Sequence, residues 1–259
     1  MTVNEFADAI RFRLLETHTP LETLRRCQRI VGRFGLSFDL LNTILPGNRE
    51  IGGFDLSFDL LNTVLPSDRE ESRSRLKELC QIPRMSTIAI AAIIDKVVST
   101  MPPETCFVNV GVWHGFSFLA GLANNPDRPA IGVDNFSQFE GPRDVFLERF
   151  GRYRSTAHEF YEMDYREYFA MAHRQPIGFY LYDGEHSYEN QLGGLEVAEP
   201  FFADGCLIMV DDTNVPEARQ ATLDFMKASP NQYRIVLDRS THENCHPTFW
   251  NGVMLLERC

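Results

Sequence analysis

The sequence predicts an α/β fold: a doubly wound, mostly parallel sheet with a C-terminal antiparallel strand, preceded by an α-helical N-terminal segment. Three observations predict it. From Thr105 onward, short apolar runs rich in aromatic and β-branched residues alternate with helix-length amphipathic stretches, the pattern of strand and crossover-helix units. Two of these runs, GFYLY and CLIMV, end in acidic clusters, DGEH at Asp183 to His186 and DDT at Asp211 to Thr213. The 28 residues from Asp183 to Asp211 fit one strand, one crossover helix and a second strand, which puts both clusters at the same edge of the sheet.

The chain opens with MTVNEFADAIRFRLLETHTP, where charges interrupt the apolar pattern. It lacks the continuous apolar core of a signal peptide, and no stretch approaches a membrane span, so a cytoplasmic protein is expected. Residues 31–50, VGRFGLSFDLLNTILPGNRE, recur at 51–70 with fourteen of twenty positions identical. Two copies are too few for a solenoid, which needs about three units to bury its faces. The repeat therefore reads as a doubled amphipathic segment, with Ser37 or Ser57 as N-cap and Pro46 or Pro66 as stop. A lid or packing helix is one reading, and a homo-oligomer contact the sharper one. Residues 71–100 read as helical, and IAIAAIIDKVV is apolar on nearly all sides, as expected of a helix buried against the sheet or a partner subunit. The expected division is a helical segment over 1–84 and the main domain over 85–259.

In that domain the order is strand CFVNV, a helix around Ser117 to Ala123, strand AIGVD, a helix near Val145 to Phe150, strand AHEFYEMD and a helix near Glu167 to His173. GFYLYDG, a helix from Glu189 to Pro200, GCLIMVDD and a helix from Glu217 to Ala228 follow. YRIVLD and GVMLLER, parted by STHENCHPTFWN, read as a closing antiparallel pair.

Composition narrows the partners. A net charge of −11 argues against sequence-independent binding to nucleic acid or to anionic membrane, because Lys and Arg hold both. A neutral or cationic small molecule fits better. Six cysteines form no CxxC pair, so neither zinc nor a disulfide framework is expected.

The candidate site lies where strands end. Ligands of open α/β sheets bind outside the carboxyl ends of the strands, and the carboxylates at 183, 211 and 212 need a cation, a proton or a cationic substrate there to offset their repulsion. In FVNVGVWHGFSF, Gly111 and Gly115 flank a tight turn into a helix, where glycine lets backbone approach a ligand or simply serves the turn. The pattern is neither GxGxxG nor a phosphate loop. Asp134 falls 23 residues after Gly111, about where an acidic residue grips ribose hydroxyls in nucleotide-binding α/β folds. Asp164 reads either as an acceptor for an adenine amino group or as a helix cap. His114 reaches a ligand by position alone, and Phe136 borders an adenine or packs.

GVWHGFS, the VDNF after the second strand, YLYDGEHSYENQLGGLE and GCLIMVDDTN together resemble class I S-adenosylmethionine-dependent methyltransferases. Within that class the chain is similar to the macrocin O-methyltransferase group, metal-dependent enzymes that methylate sugar hydroxyls. The resemblance covers roughly residues 85–257 and implies a Rossmann-like domain. It implies that Gly111 and Gly115 face the methionine part of S-adenosylmethionine, Asp134 its ribose and Asp164 its adenine, with Met85, His114, Ser117, Asn135, Phe136 and Asp183 also lining the cofactor. Asp183, Asp211 and Asp212 match the metal ligands, for Mg²⁺ or Mn²⁺. The group carries an acidic residue where this chain has Asn109. Its base falls two residues after the first ligand, here Glu185, with His186 the other candidate. The expected reaction is methylation of a small-molecule hydroxyl, a sugar of a natural product or nucleotide sugar first. A catechol-type O-methyltransferase and a non-catalytic cofactor-binding scaffold are the alternatives.

Overall fold

The computed structural model describes residues 1–13, 60, 62–66, 70–242 and 244–259. Most of the duplicated segment, with Ser37, Ser57 and Pro46, lies outside the described residues, and so does any oligomer contact it makes. The fold starts with helix α1 (Val3–Ala9), whose N-terminus is closed by reciprocal hydrogen bonds between Thr2 and Glu5. β1 (Arg11–Phe12) and β2 (Thr63–Val64) form a short antiparallel ribbon. The continuous helix expected over 71–100 is instead two, α2 (Glu70–Leu79) and α3 (Ile88–Thr100). Pro83 lies between them, where a proline cannot donate to the helix ladder, and Thr87 caps the second helix through its side chain. α3 is buried along almost its whole length and packs against α4 (Phe116–Leu122), α1 and α2.

The rest alternates as the sequence predicts: β3 (Cys106–Val110), α4, β4 (Ala130–Asp134), α5 (Arg143–Tyr153), β5 (His158–Glu162), α6 (Tyr165–Met171), β6 (Ile177–Tyr182) and α7 (Tyr188–Ala198). β7 (Phe202–Asp211), α8 (Pro216–Ala228), β8 (Tyr233–Arg239) and β9 (Val253–Arg258) complete it. The seven-stranded sheet has the order β5-β4-β3-β6-β7-β9-β8. The first five strands run parallel, and β9 runs antiparallel to both β7 and β8.

Period-two alternation sorts the side chains of the sheet between two cores. Along β6, Phe179 and Leu181 join the face covered by α3 and α4, whereas Tyr180 and Tyr182 join the face covered by α6, α7 and α8. Phe107 stacks on Phe179 with ring centroids 4.8 Å apart, an aromatic pair worth about 1 kcal/mol beyond its buried area. Phe6, Ile10, Leu76 and Leu79 belong to the first of these cores, so the described N-terminal helices share it with the sheet. The strand order reverses between β3 and β6. Val110 and Tyr182 are paired there, and the Asp183 N–H donates to the Val110 carbonyl at 2.9 Å. That crevice is where an open α/β sheet takes its ligand.

Candidate active site

Two neighbouring parallel strands deliver the acidic residues. Tyr182 of β6 and Val210 of β7 are in register, so Asp183 and Asp211, one residue further on, emerge side by side. Asp212 turns sharply, with φ 51°, in the left-handed region that Asp tolerates better than most residues. His186 faces the same cluster: its Nε2 lies 3.5 Å from Asp211 Oδ1 and 3.6 Å from Asp212 Oδ2. One donor atom each from Asp183, His186 and Asp211 lie within 4.8 Å of one another. Ser117 Oγ, in the first turn of α4, donates to Asp183 Oδ2 at 3.3 Å.

The cluster is electrostatically unbalanced. Burial, and then the Asp211 charge, hold the Asp183 carboxyl well above the usual range. Burial and the Asp212 charge do the same to Asp211, and burial raises Asp212 against the opposing pull of His186. Asp211 Oδ1 and Asp212 Oδ1 are buried and, among the described residues, accept no hydrogen bond. An uncompensated buried oxygen costs about 1–3 kcal/mol, so these atoms fit a bound cation. Glu185 is placed differently. It is exposed, and its Oε2 accepts from Asn190 Nδ2 at 2.8 Å, so the structure does not bring it into the carboxylate cluster.

The glycine turn between β3 and α4 closes against this cluster. Gly111 has φ 81°, and a Cβ there would lie 2.0 Å from the Asp183 carbonyl oxygen; Gly115 has φ 97°. Only glycine lets the two strand ends come this close. Asp134 holds the turn: Oδ2 accepts from the Val112 and Trp113 N–H groups at 2.8 and 2.9 Å, and Oδ1 from Phe136 N–H at 2.7 Å. A carboxylate offers about four acceptor positions, so about one remains for a ribose hydroxyl. Beneath the turn, Asn109 Nδ2 donates to the Gly111 carbonyl at 2.9 Å, while its buried Oδ1 has no partner among the described residues. His114 Nδ1 faces Arg149 Nη1 at 2.8 Å, and burial, followed by the Arg149 charge, lowers its pKa.

Three other expected residues, Asp164, Asn135 and Phe136, make local contacts. Asp164 caps α6 by accepting from Arg166 N–H at 2.8 Å. Asn135 is exposed, and its Oδ1 accepts from Ser137 N–H. Phe136, with φ 49°, packs on Phe146 and Phe160 at 5.7 Å each. Met85 is half-buried in the connection between α2 and α3.

Two contributors, Asn251 and Gln191, were not legible as site residues. Asn251, in the loop before β9, lies beside the Asp212 carboxyl and lowers its pKa against the effect of burial. Thr213 N–H and Asn214 N–H donate to the Gly252 and Asn251 carbonyls, so this loop is sewn to the DDT turn. Gln191, wholly buried on α7, places Oε1 3.3 Å from His186 Nδ1. The β7–β9 pairing of Asp211 with Val253, forty-two positions along the chain, is what brings Asn251 here, and nothing in the local sequence marks it.

A mostly parallel sheet in this order, with a glycine turn and strand-end acids at its switch point, defines a Rossmann-like methyltransferase fold. Residues 108–213, from the first core strand through the DDT turn, match the family described as a methyltransferase domain. No curated protein matches the full sequence. Solved structures share the fold. An O-methyltransferase from Bacillus cereus, solved with SAH, is 14% identical, with a TM-score of 0.55 over 76% of this chain and 93% of that one. The cofactor-bound Rv0187 from MTB is 15% identical, with a TM-score of 0.54 over 82% and 98%. A Staphylococcus aureus protein provisionally named a caffeoyl-CoA O-methyltransferase is 11% identical, with a TM-score of 0.52 over 75% and 93%. No described helix is long and apolar enough to cross a membrane.

Proposed function

We propose that the protein transfers a methyl group from S-adenosylmethionine to a hydroxyl oxygen of a small molecule, with a divalent ion held by Asp183, Asp211 and Asp212. The observation that carries this reading is the set of three crowded carboxylates at the switch point, two of them with buried oxygens that no donor among the described residues satisfies. A sugar hydroxyl has a pKa close to that of water, about 15.7, and a divalent ion held there supplies the charge that lowers it and orients the oxygen.

The chain's own groups do the rest. Gly111 and Gly115 keep the turn bare of side chains, so that the cofactor's methionine part can lie against backbone. Asp134 fixes the Val112 and Trp113 N–H groups and keeps about one acceptor position for the ribose. Glu185 takes the proton of the acceptor. It is open to solvent on the same loop as Asp183, and Asn190 orients its carboxylate. Ser117 steadies Asp183.

A sugar of a natural product or a nucleotide sugar is the leading acceptor, on the likeness of GVWHGFS, DGEHSYE and DDTN to the macrocin group. An aromatic diol is the second reading, prompted by the caffeoyl-CoA name of the Staphylococcus aureus neighbour. Assays of methyl transfer to sugars and to catechols, with and without chelator, separate the two. Asp211→Asn and chelation are each expected to lower transfer by about a hundredfold or more. Transfer that survives both unchanged overturns the metal-dependent reading.

A further inference from the structure

His186 stands in a position that a general base does not require. Its Nε2 is 3.5 Å from Asp211 Oδ1 and 3.6 Å from Asp212 Oδ2, beyond the roughly 2.7–3.2 Å of a nitrogen–oxygen hydrogen bond. Donor atoms sharing one ion at about 2.1 Å lie roughly 3.0–3.4 Å apart, according to whether the ion is octahedral or tetrahedral. The ring therefore sits at nearly the spacing of a fellow ligand from two carboxylates at once, with Asp183 completing the group.

A second observation comes from behind the ring. Gln191 is wholly buried, and its side chain has one hydrogen-bond partner among the described residues, His186 Nδ1, with Oε1 3.3 Å away. A buried amide oxygen facing Nδ1 takes the proton there and leaves the Nε2 lone pair directed at the carboxylates. Ligating histidines are commonly fixed in this way by a carbonyl or carboxylate behind them. The Tyr182 ring meets the imidazole edge-on at 6.5 Å and limits its rotation further.

We propose that His186 is itself a ligand, through Nε2, and that the resulting mixed nitrogen–oxygen site selects a first-row transition ion such as Mn²⁺ over Mg²⁺. The proposal rests on the reading that a divalent ion occupies the carboxylate cluster. All-oxygen sites suit Mg²⁺, which is hard and holds its waters, whereas an imidazole nitrogen adds affinity along the transition series and little for Mg²⁺. Gln191 is then a positioning residue that acts through His186, and Glu185 remains as the proton acceptor.

Electron paramagnetic resonance on the full-length, ion-free protein tests this. Mn²⁺ is titrated in, bound and free ion are resolved, and the bound ion is examined by pulsed measurement for hyperfine coupling to a directly bonded nitrogen. The expected result is one Mn²⁺ per chain with that coupling, and Mg²⁺ as a weak competitor. In His186→Gln the coupling vanishes, Mn²⁺ affinity falls by at least about tenfold, and Mg²⁺ affinity changes little. Mn²⁺ bound without nitrogen coupling, with binding abolished in Asp211→Asn, sinks the ligand assignment and leaves the metal reading standing. Failure of the unaltered protein to bind Mn²⁺ or Mg²⁺ sinks both. The nitrogen coupling is read on the unaltered protein, so the test does not depend on how well any variant folds.

Discussion

Asp211 is held where its ionised form is costly: it is half-buried, its neighbour Asp212 carries the same charge, and its enclosed Oδ1 accepts no hydrogen bond from the described residues. Replacing it with asparagine removes the charge and keeps the shape. In ion-free protein, Asp211→Asn should therefore raise stability by on the order of 1 kcal/mol for each pKa unit relieved, while abolishing ion binding. Urea denaturation in chelator checks the sign, and a destabilised variant would mean that the carboxylate is already compensated inside the protein. The three aspartates were legible in the sequence because apolar strand residues precede them and strand ends converge. The placement of Glu185 outside the cluster and of His186 beside it was not. The two are adjacent on a loop, where no periodicity says which side chain turns inward, and it is Gln191 on α7, facing Nδ1, that orients the histidine toward the carboxylates.

At the level of elements, the paired glycines of α7 show how local preference yields to packing. A Cβ on Gly194 would meet the Tyr182 ring at 2.1 Å, whereas one on Gly193 would come no nearer than 3.3 Å, to the far end of Arg166. Alanine favours a helix over glycine by up to about 1 kcal/mol at both positions. Gly193→Ala should thus be neutral or stabilising, and Gly194→Ala destabilising by about 1–3 kcal/mol, since overpacking outweighs propensity. Denaturant midpoints of the two variants decide it, and equal effects would refute the packing account. Most elements could be read from the sequence because both faces of the sheet are covered and the apolar runs are long. The break between α2 and α3 could not, since Pro83 sits in a stretch whose apolar periodicity continues across it. The β8–β9 loop differs from its sequence for the opposite reason: its polar residues STHENCHPTFWN look solvated, yet Thr248 and His246 are buried, with Thr87 Oγ1 donating to the Thr248 carbonyl.

Over the whole molecule, several histidines are kept neutral by the fold. Burial, and then His242, push His246 from 6.5 down to about 4, and burial lowers His158 and His173 as well. The unfolded chain thus takes up protons near pH 6.5 that the folded chain refuses. The stability these rings confer is fully present above pH 6.5 and is lost as pH falls from there toward about 4. His246 alone accounts for up to about 3 kcal/mol of that loss. Urea midpoints at pH 7 and pH 4.5 should differ accordingly, and His246→Asn should flatten the difference; an unchanged pH slope in the variant would contradict it.

β9 sits between β7 and β8, and β8 pairs in the sheet with β9 alone. During synthesis, β8 emerges first yet has no partner, and the apolar flank of β7 stays an open edge until residue 258 has been made. Val253 through Leu256, all fully buried, then close it. The arriving strand also carries Asn251 and Gly252 onto the DDT turn. Pairing of β9 with β7 and the contacts that the loop before β9 makes with the DDT turn are therefore one structural unit, so a change that loosens β9 also loosens the wall of the acidic pocket.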